Sequence, residues 1–201
     1  YGTLVPFICS NTRQYPDAYL QRAAALTLCK FMCISSEYCE ANLGLLLHIL
    51  RTSRDAVVRA NAVIGLGDVA VCFGTLVDEN SERLFAGLGD ADLGVKKNTL
   101  MVLTHLILNG MIKVKGQLGE LAKCLEDDEM RVSDLAKLFF SELAMKENAV
   151  YNHLPDIISH LSTGEHAVDE TTFMNTKRFL FSFIDKERQA VNVIEKLCQR
   201  F

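Results

Sequence analysis

Tryptophan is absent from these 201 residues, and proline occurs only three times. Hydrophobic residues make up 49% and charged residues 23%, so the chain can bury a substantial core and does not have the composition of a disordered segment. No apolar run approaches the roughly 20 residues of a membrane span, which argues against membrane insertion. None of the seven cysteines forms a CxxC pair. Their number is odd, and most lie in apolar helical runs, where a thiol behaves as a small hydrophobe; a reduced intracellular compartment is expected. The opening YGTLVPFICS does not read as a signal peptide. Starting on Tyr1 without an initiator methionine, the chain is expected to be a fragment of a longer protein. A formal net charge of −4 argues against a generally basic nucleic-acid coat, but leaves room for a local basic patch.

What is present is a repeat. Five stretches align on an acidic residue that opens a helical pattern: DAYLQRAAALTL from Asp17, DAVVRANAVIGL from Asp55, DLGVKKNTLMVL from Asp92, DDEMRVSDLAKL from Asp127 and EHAVDETTFMNT from Glu165. Successive starts are 38, 37, 35 and 38 residues apart. The fourth position is apolar throughout (Leu20, Val58, Val95, Met130, Val168), and the next is basic in three units (Arg59, Lys96, Arg131). The front acid suits a helix N-terminus, where it accepts from free backbone N–H groups. Broadly apolar inner helices are predicted near 17–33, 55–73, 92–109, 127–145 and 165–185. Amphipathic outer segments are predicted at Ser36–Leu50, Asn80–Leu88, Gln117–Leu125 and Ala149–Leu161, and Glu187–Gln199 reads as the first helix of a further unit. No segment alternates with period two for long enough to suggest a sheet. A helix pair cannot close a core alone, whereas stacked pairs share one. The expected fold is therefore all-α, a single solenoid array of about five helix pairs plus a terminal helix. The D-x-x-V-R element in DAVVRA resembles HEAT repeats.

The enzymatic motifs fail on context. Gly65-Leu66-Gly67-Asp68-Val69-Ala70 satisfies G-x-G-x-x-A, but that fingerprint needs a preceding strand, and VVRANAVI continues the helical repeat. Gly65 and Gly67 are expected to let a neighbouring helix approach. His48, His105, His153, His160 and His166 form no HExxH motif and no zinc-finger spacing with cysteine, so they read as surface or packed residues. Glu126–Glu129 lacks the spaced ligands of a calcium loop and reads as a solvated turn. The phenylalanines Phe139, Phe140, Phe173, Phe179, Phe181 and Phe183 read as core rather than as a base-stacking platform. No catalytic group, metal or cofactor is expected.

The stretch NGMIKVKGQ, residues 109–117, stands out. Gly110 is placed to end a helix and Gly116 to let the backbone approach something closely. Met111, Ile112 and Val114 can anchor the loop, leaving Lys113 and Lys115 toward solvent. If Lys96 and Lys97 shared that surface, four lysines would form a positive patch suited to phosphate oxygens. The alternatives are a merely solvated loop and, for Lys96 and Lys97, pairing with an acid of the adjacent repeat turn.

AALTLCKFMCISSEYCEANLGLLLHIL, NAVIGLGDVAVCF, THLILNGMIKVKGQ, LAKLFFSEL, NAVYNHLPDIISHLS and VIEKLCQRF, in this order, resemble the C-terminal region of the non-SMC HEAT subunit of condensin over nearly the whole chain. The resemblance implies a non-catalytic regulatory subunit of a hetero-oligomeric ATPase complex that condenses mitotic chromosomes. Its partners would be the kleisin subunit, the SMC ATPase subunits and double-stranded DNA, the last met at its backbone without sequence reading. Its location would be the nucleus and chromosomes, and the cytoplasm for part of the cell cycle. The DNA-binding residues implied are Lys113, Lys115 and Gly116, followed by Lys96 and Lys97. The competing reading is a HEAT adaptor that binds only proteins.

Overall fold

The computed structural model describes residues 1–114, 116–146 and 149–199. Among them every regular element is helical. Contacts divide the chain into two compact parts, Tyr1–Lys113 and Val114–Phe201.

The first part holds α1 (Leu4–Ser10), α2 (Ala18–Met32), α3 (Ser36–Thr52), α4 (Ala56–Cys72), α5 (Gly74–Asp78), α6 (Ser81–Phe85), a 3-10 turn (Ala86–Gly89) and α7 (Leu93–Leu108). Helix α4 lies at its centre, packed against α2, α3 and α7. It buries Val58, Ala62, Val63, Leu66, Val69 and Ala70, the wide apolar face expected of an inner helix flanked by neighbours. The outer segment expected at Asn80–Leu88 is built from the short α6 and the 3-10 turn, and α5 precedes it as a further short helix.

The second part holds α8 (Leu118–Lys123), a 3-10 turn (Cys124–Glu126), α9 (Met130–Ala144), α10 (Ala149–Ser162), a second 3-10 turn (Gly164–His166), α11 (Glu170–Phe181) and α12 (Glu187–Cys198). Helix α10 packs against α8, α9, α11 and α12. Phe139 and Phe140 are fully buried and meet edge to face at 5.0 Å, a favoured aromatic geometry. Phe173, Phe179, Phe181 and Phe183 are only half-buried.

Side-chain caps start four of the inner helices, and α9 has an N-cap, Glu129, without such a bond. Asp17 accepts from the Leu20 N–H at 2.7 Å, Asp55 from Val57 at 2.9 Å, Asp92 from Val95 at 3.0 Å and Asp169 from Thr172 at 3.0 Å. These bonds satisfy otherwise orphaned donors of the first turn. Two repeat starts shift from their expected places. The N-cap of α9 is Glu129 rather than Asp127; Asp127 instead accepts the Glu129 N–H at 3.0 Å. Helix α11 is capped by Asp169, while Glu165 lies in the Gly164–His166 turn.

Counted from the acidic N-cap residues, the pattern becomes regular. The eighth residue is small and buried in every unit (Ala24, Ala62, Thr99, Ala136, Thr176), and the twelfth is large and buried (Leu28, Leu66, Leu103, Phe140, Leu180). A four-residue step keeps both on one helix face. In this register Arg131 is no longer equivalent to Arg59 and Lys96, and its side chain is exposed.

Gly65 and Gly67 sit within α4, so no strand and glycine turn exist there to receive a dinucleotide. A Cβ on Gly65 would overlap the Cys29 side chain of α2, and one on Gly67 would lie 2.9 Å from Val102 of α7. Both glycines let neighbouring helices approach. Burial pushes the Cys29 thiol up to about 12 and the Cys9 thiol up to about 11, so both pack as inert apolar groups. Among the described residues no cysteine is in a disulfide.

Candidate nucleic-acid interface

The lysine loop begins with a well-formed helix stop. Gly110 takes a left-handed φ of 66°. Its N–H donates to the Ile107 carbonyl at 3.0 Å, and the Met111 N–H donates to that of Leu106 at 2.8 Å. These two bonds are the Schellman pair that satisfies the last helical carbonyls. Ile112 is then buried, while Met111 and Val114 are half-buried. Lys113 is exposed, and its backbone N–H donates to Asp78 Oδ1 at 2.7 Å, which ties the loop to the end of α5. Among the described residues, the Lys113 ammonium enters no ion pair.

Lys115 lies outside the described residues. Gly116 is exposed with φ of 93°, a conformation that disfavours any residue with a Cβ. Among the described residues, nothing lies within 4 Å of where its Cβ would be.

Lys96 and Lys97 are half-buried in the first turns of α7. The loop leaves the other end of that helix. From Lys97 to Leu108 is about 16 Å at 1.5 Å per residue. Lys96 and Lys97 thus sit at the start of α7, whereas the loop that carries Lys113 follows its last turn. A duplex presents one phosphate charge per about 1.7 Å of axis, so a single duplex is long enough to meet separated cations.

Two arginines beside the repeat turns are committed elsewhere. Arg22 Nε donates to Asp55 Oδ2 at 2.7 Å. Arg59 donates to both oxygens of Asp90, at 2.7 and 2.8 Å, and to the Ser53 carbonyl at 2.9 Å. The hydrogen bond from Arg59 holds the Asp90 carboxyl below its usual range. Basic residues at this point of the repeat can thus serve to join adjacent turns.

Sequence reasoning did not find the meeting of Glu120, His160 and His166. The two histidines are separated by LSTGE, an H-x5-H spacing that zinc ligands do use, but the cysteine pair of a finger is missing beside them and Glu120 lies 40 positions before His160. Only the packing of α8 on α10 brings them together.

Capped apolar helices joined by charged turns, with an exposed lysine carried on a fixed loop, define a helical-repeat protein. Solved structures share this fold: a designed armadillo repeat protein superposes with a TM-score of 0.51 at 18% identity over 96% of this chain and 87% of that one. Another, solved with the peptide (KR)4, gives 0.54 at 14% over 96% and 87%. The family profile described as non-SMC mitotic condensation complex subunit 1 matches residues 57–201, and the chain belongs to that family. It is 49% identical over 98% of its length to condensin complex subunit 1 of Saccharomyces cerevisiae and 45% identical over 96% to that of Homo sapiens. Condensin-2 complex subunit D3 of Mus musculus is 24% identical over 89% of this chain. The chain spans 17%, 14% and 12% of these three proteins, respectively.

Proposed function

We propose that the chain is part of a non-catalytic scaffold subunit of a condensin complex, supporting mitotic chromosome condensation. It contacts the kleisin and SMC ATPase subunits and holds double-stranded DNA by its backbone. The observation that carries the scaffold reading is the family match along nearly the whole chain. The complex acts on chromosomes in the nucleus, and the subunit is cytoplasmic for part of the cell cycle.

In this reading Lys113 and Lys115 meet phosphate oxygens, and Gly116 keeps the backbone low enough for close approach. Lys96 and Lys97 add a second point of contact at the far end of α7. What supports the DNA contact is the exposed, unpaired Lys113, carried by a loop whose neighbour Ile112 is buried and whose backbone is bonded to Asp78. A cation held this way loses less freedom on binding than one on a free tail.

The test is a salt titration of DNA affinity with the assembled complex carrying Lys113→Glu and Lys115→Glu. Two lost phosphate contacts are expected to weaken binding and to reduce the slope of log K against log salt by about 2, with folding intact. An unchanged affinity and slope would remove the loop from the interface.

A further inference from the structure

Three nitrogen donors converge on one carboxylate oxygen in the second compact part. Glu120 Oε1 lies 2.7 Å from His160 Nε2, 3.0 Å from His166 Nδ1 and 3.0 Å from Lys123 Nζ. The two imidazoles stack at 4.4 Å between centroids with a 17° tilt. Side-chain exposure is 29% for Glu120, 21% for His160 and 57% for His166, so the cluster is partly walled by protein and open on one side. Gly119 helps to build it, since a Cβ there would overlap the His160 ring.

We propose that Glu120, His160 and His166 form a binding site for a divalent transition-metal ion, zinc by preference. Two imidazole nitrogens and one carboxylate oxygen are a donor set suited to Zn²⁺. These three ligand atoms all lie within 4.8 Å of one another. Tetrahedral zinc with bonds of about 2.0–2.1 Å separates its ligand atoms by roughly 3.3 Å. The two separations from Glu120 Oε1 therefore need to open by about 0.3–0.6 Å. Because the stacked rings hold their lone pairs in nearly parallel planes, the exposed His166 ring must turn out of the stack for both named nitrogens to face the ion, and protons held there leave or move to the other ring nitrogen. Water takes the fourth position from the exposed His166 side. Lys123 is the built-in competitor, because its ammonium occupies the same carboxylate oxygen. An ion here would clip α8 to α10 and to the Gly164–His166 turn, and would stabilise this part of the fold by binding only its native state.

The test uses the 201-residue chain in a Cys72→Ser, Cys198→Ser background, which removes the exposed thiols as rival ligands. Co²⁺ serves as the spectroscopic probe and Zn²⁺ as the ion for calorimetry and thermal unfolding. One equivalent is expected to bind with tetrahedral visible bands, without thiolate charge-transfer absorption, and with a rise in Tm reversed by EDTA. His166→Ala, at an exposed position, should weaken binding on the order of tenfold or more, as should Glu120→Gln. Lys123→Met should tighten it. Thiolate absorption, failure to bind, or an affinity unmoved by His166→Ala with the helical circular dichroism preserved would each overturn the site.

Discussion

Arg59 meets both carboxylate oxygens of Asp90, at 2.7 and 2.8 Å, across 31 positions of sequence. The same guanidinium donates to the Ser53 carbonyl, and Asp90 Oδ1 accepts the Asp92 N–H at 2.8 Å. One ion pair thus ties the turn before α4 to the turn before α7. With side chains only 16% and 12% exposed, it is better shielded from water than Arg22 with Asp55, at 38% and 24%.

Removing either partner leaves a shielded charge with too few hydrogen bonds. Arg59→Ala and Asp90→Ala are each expected to lower the unfolding free energy by about 2 kcal/mol in urea titrations. A double-mutant cycle should give a coupling of about 1–2 kcal/mol. Arg59→Lys keeps the charge but not the two-pronged geometry, and should recover only part of the loss. Additive single losses would mean that the pair does not act as a unit.

The acid response follows from the same contact. The hydrogen bond from Arg59 lowers the Asp90 carboxyl below its ordinary value of 3.8, as the one from Arg22 lowers Asp55. Near and below 3.8 the unfolded chain binds more protons than the folded one, so stability rises with pH through that window. The contribution is present above the unfolded value and is lost as pH falls through the lower folded value. Wild type should therefore be more stable than Asp90→Asn at neutral pH, and the gap should narrow as pH drops below 3.8. Urea midpoints measured across that range check the sign.

Two helix glycines should respond in opposite directions. A Cβ on Gly65 would run into Cys29 of the packed α2, whereas one on Gly44 in α3 meets nothing within 4 Å. Gly65→Ala is expected to destabilise by about 1–3 kcal/mol through overpacking. Gly44→Ala should stabilise by up to about 1 kcal/mol, because alanine has the better helix propensity. Thermal unfolding of the two variants side by side tests whether close helix approach is the reason for Gly65.

The helical character of the chain and the start of three repeats were legible in the residues. Asp17, Asp55 and Asp92 are caps because a carboxylate two or three positions before a free N–H can accept from it at a helix start. The starts at Asp127 and Glu165 were misplaced because each region carries several acids within a few residues. Local chemistry alone could not choose among them. Buried small and large residues at the eighth and twelfth positions make the choice, in favour of Glu129 and Asp169. Gly110 was readable as a helix stop, since its need for positive φ is a backbone property. How the loop stands to Lys96 and Lys97 was not legible, because it depends on where α7 ends and on the path of the chain after it.

By itself the sequence determined what depends on residues three or four apart: helix periodicity, the capping acids, the Schellman turn after α7 and the exposure of Lys113 beside buried Ile112. Tertiary structure decided what depends on residues 30 to 40 apart: which acid Arg59 takes as its partner, which side chain Gly65 makes room for, and the meeting of Glu120 with His160. The division has a physical cause. Local hydrogen bonds and helix geometry are fixed within one turn, whereas charges and ligands from different helices find each other only after apolar burial has set which faces meet.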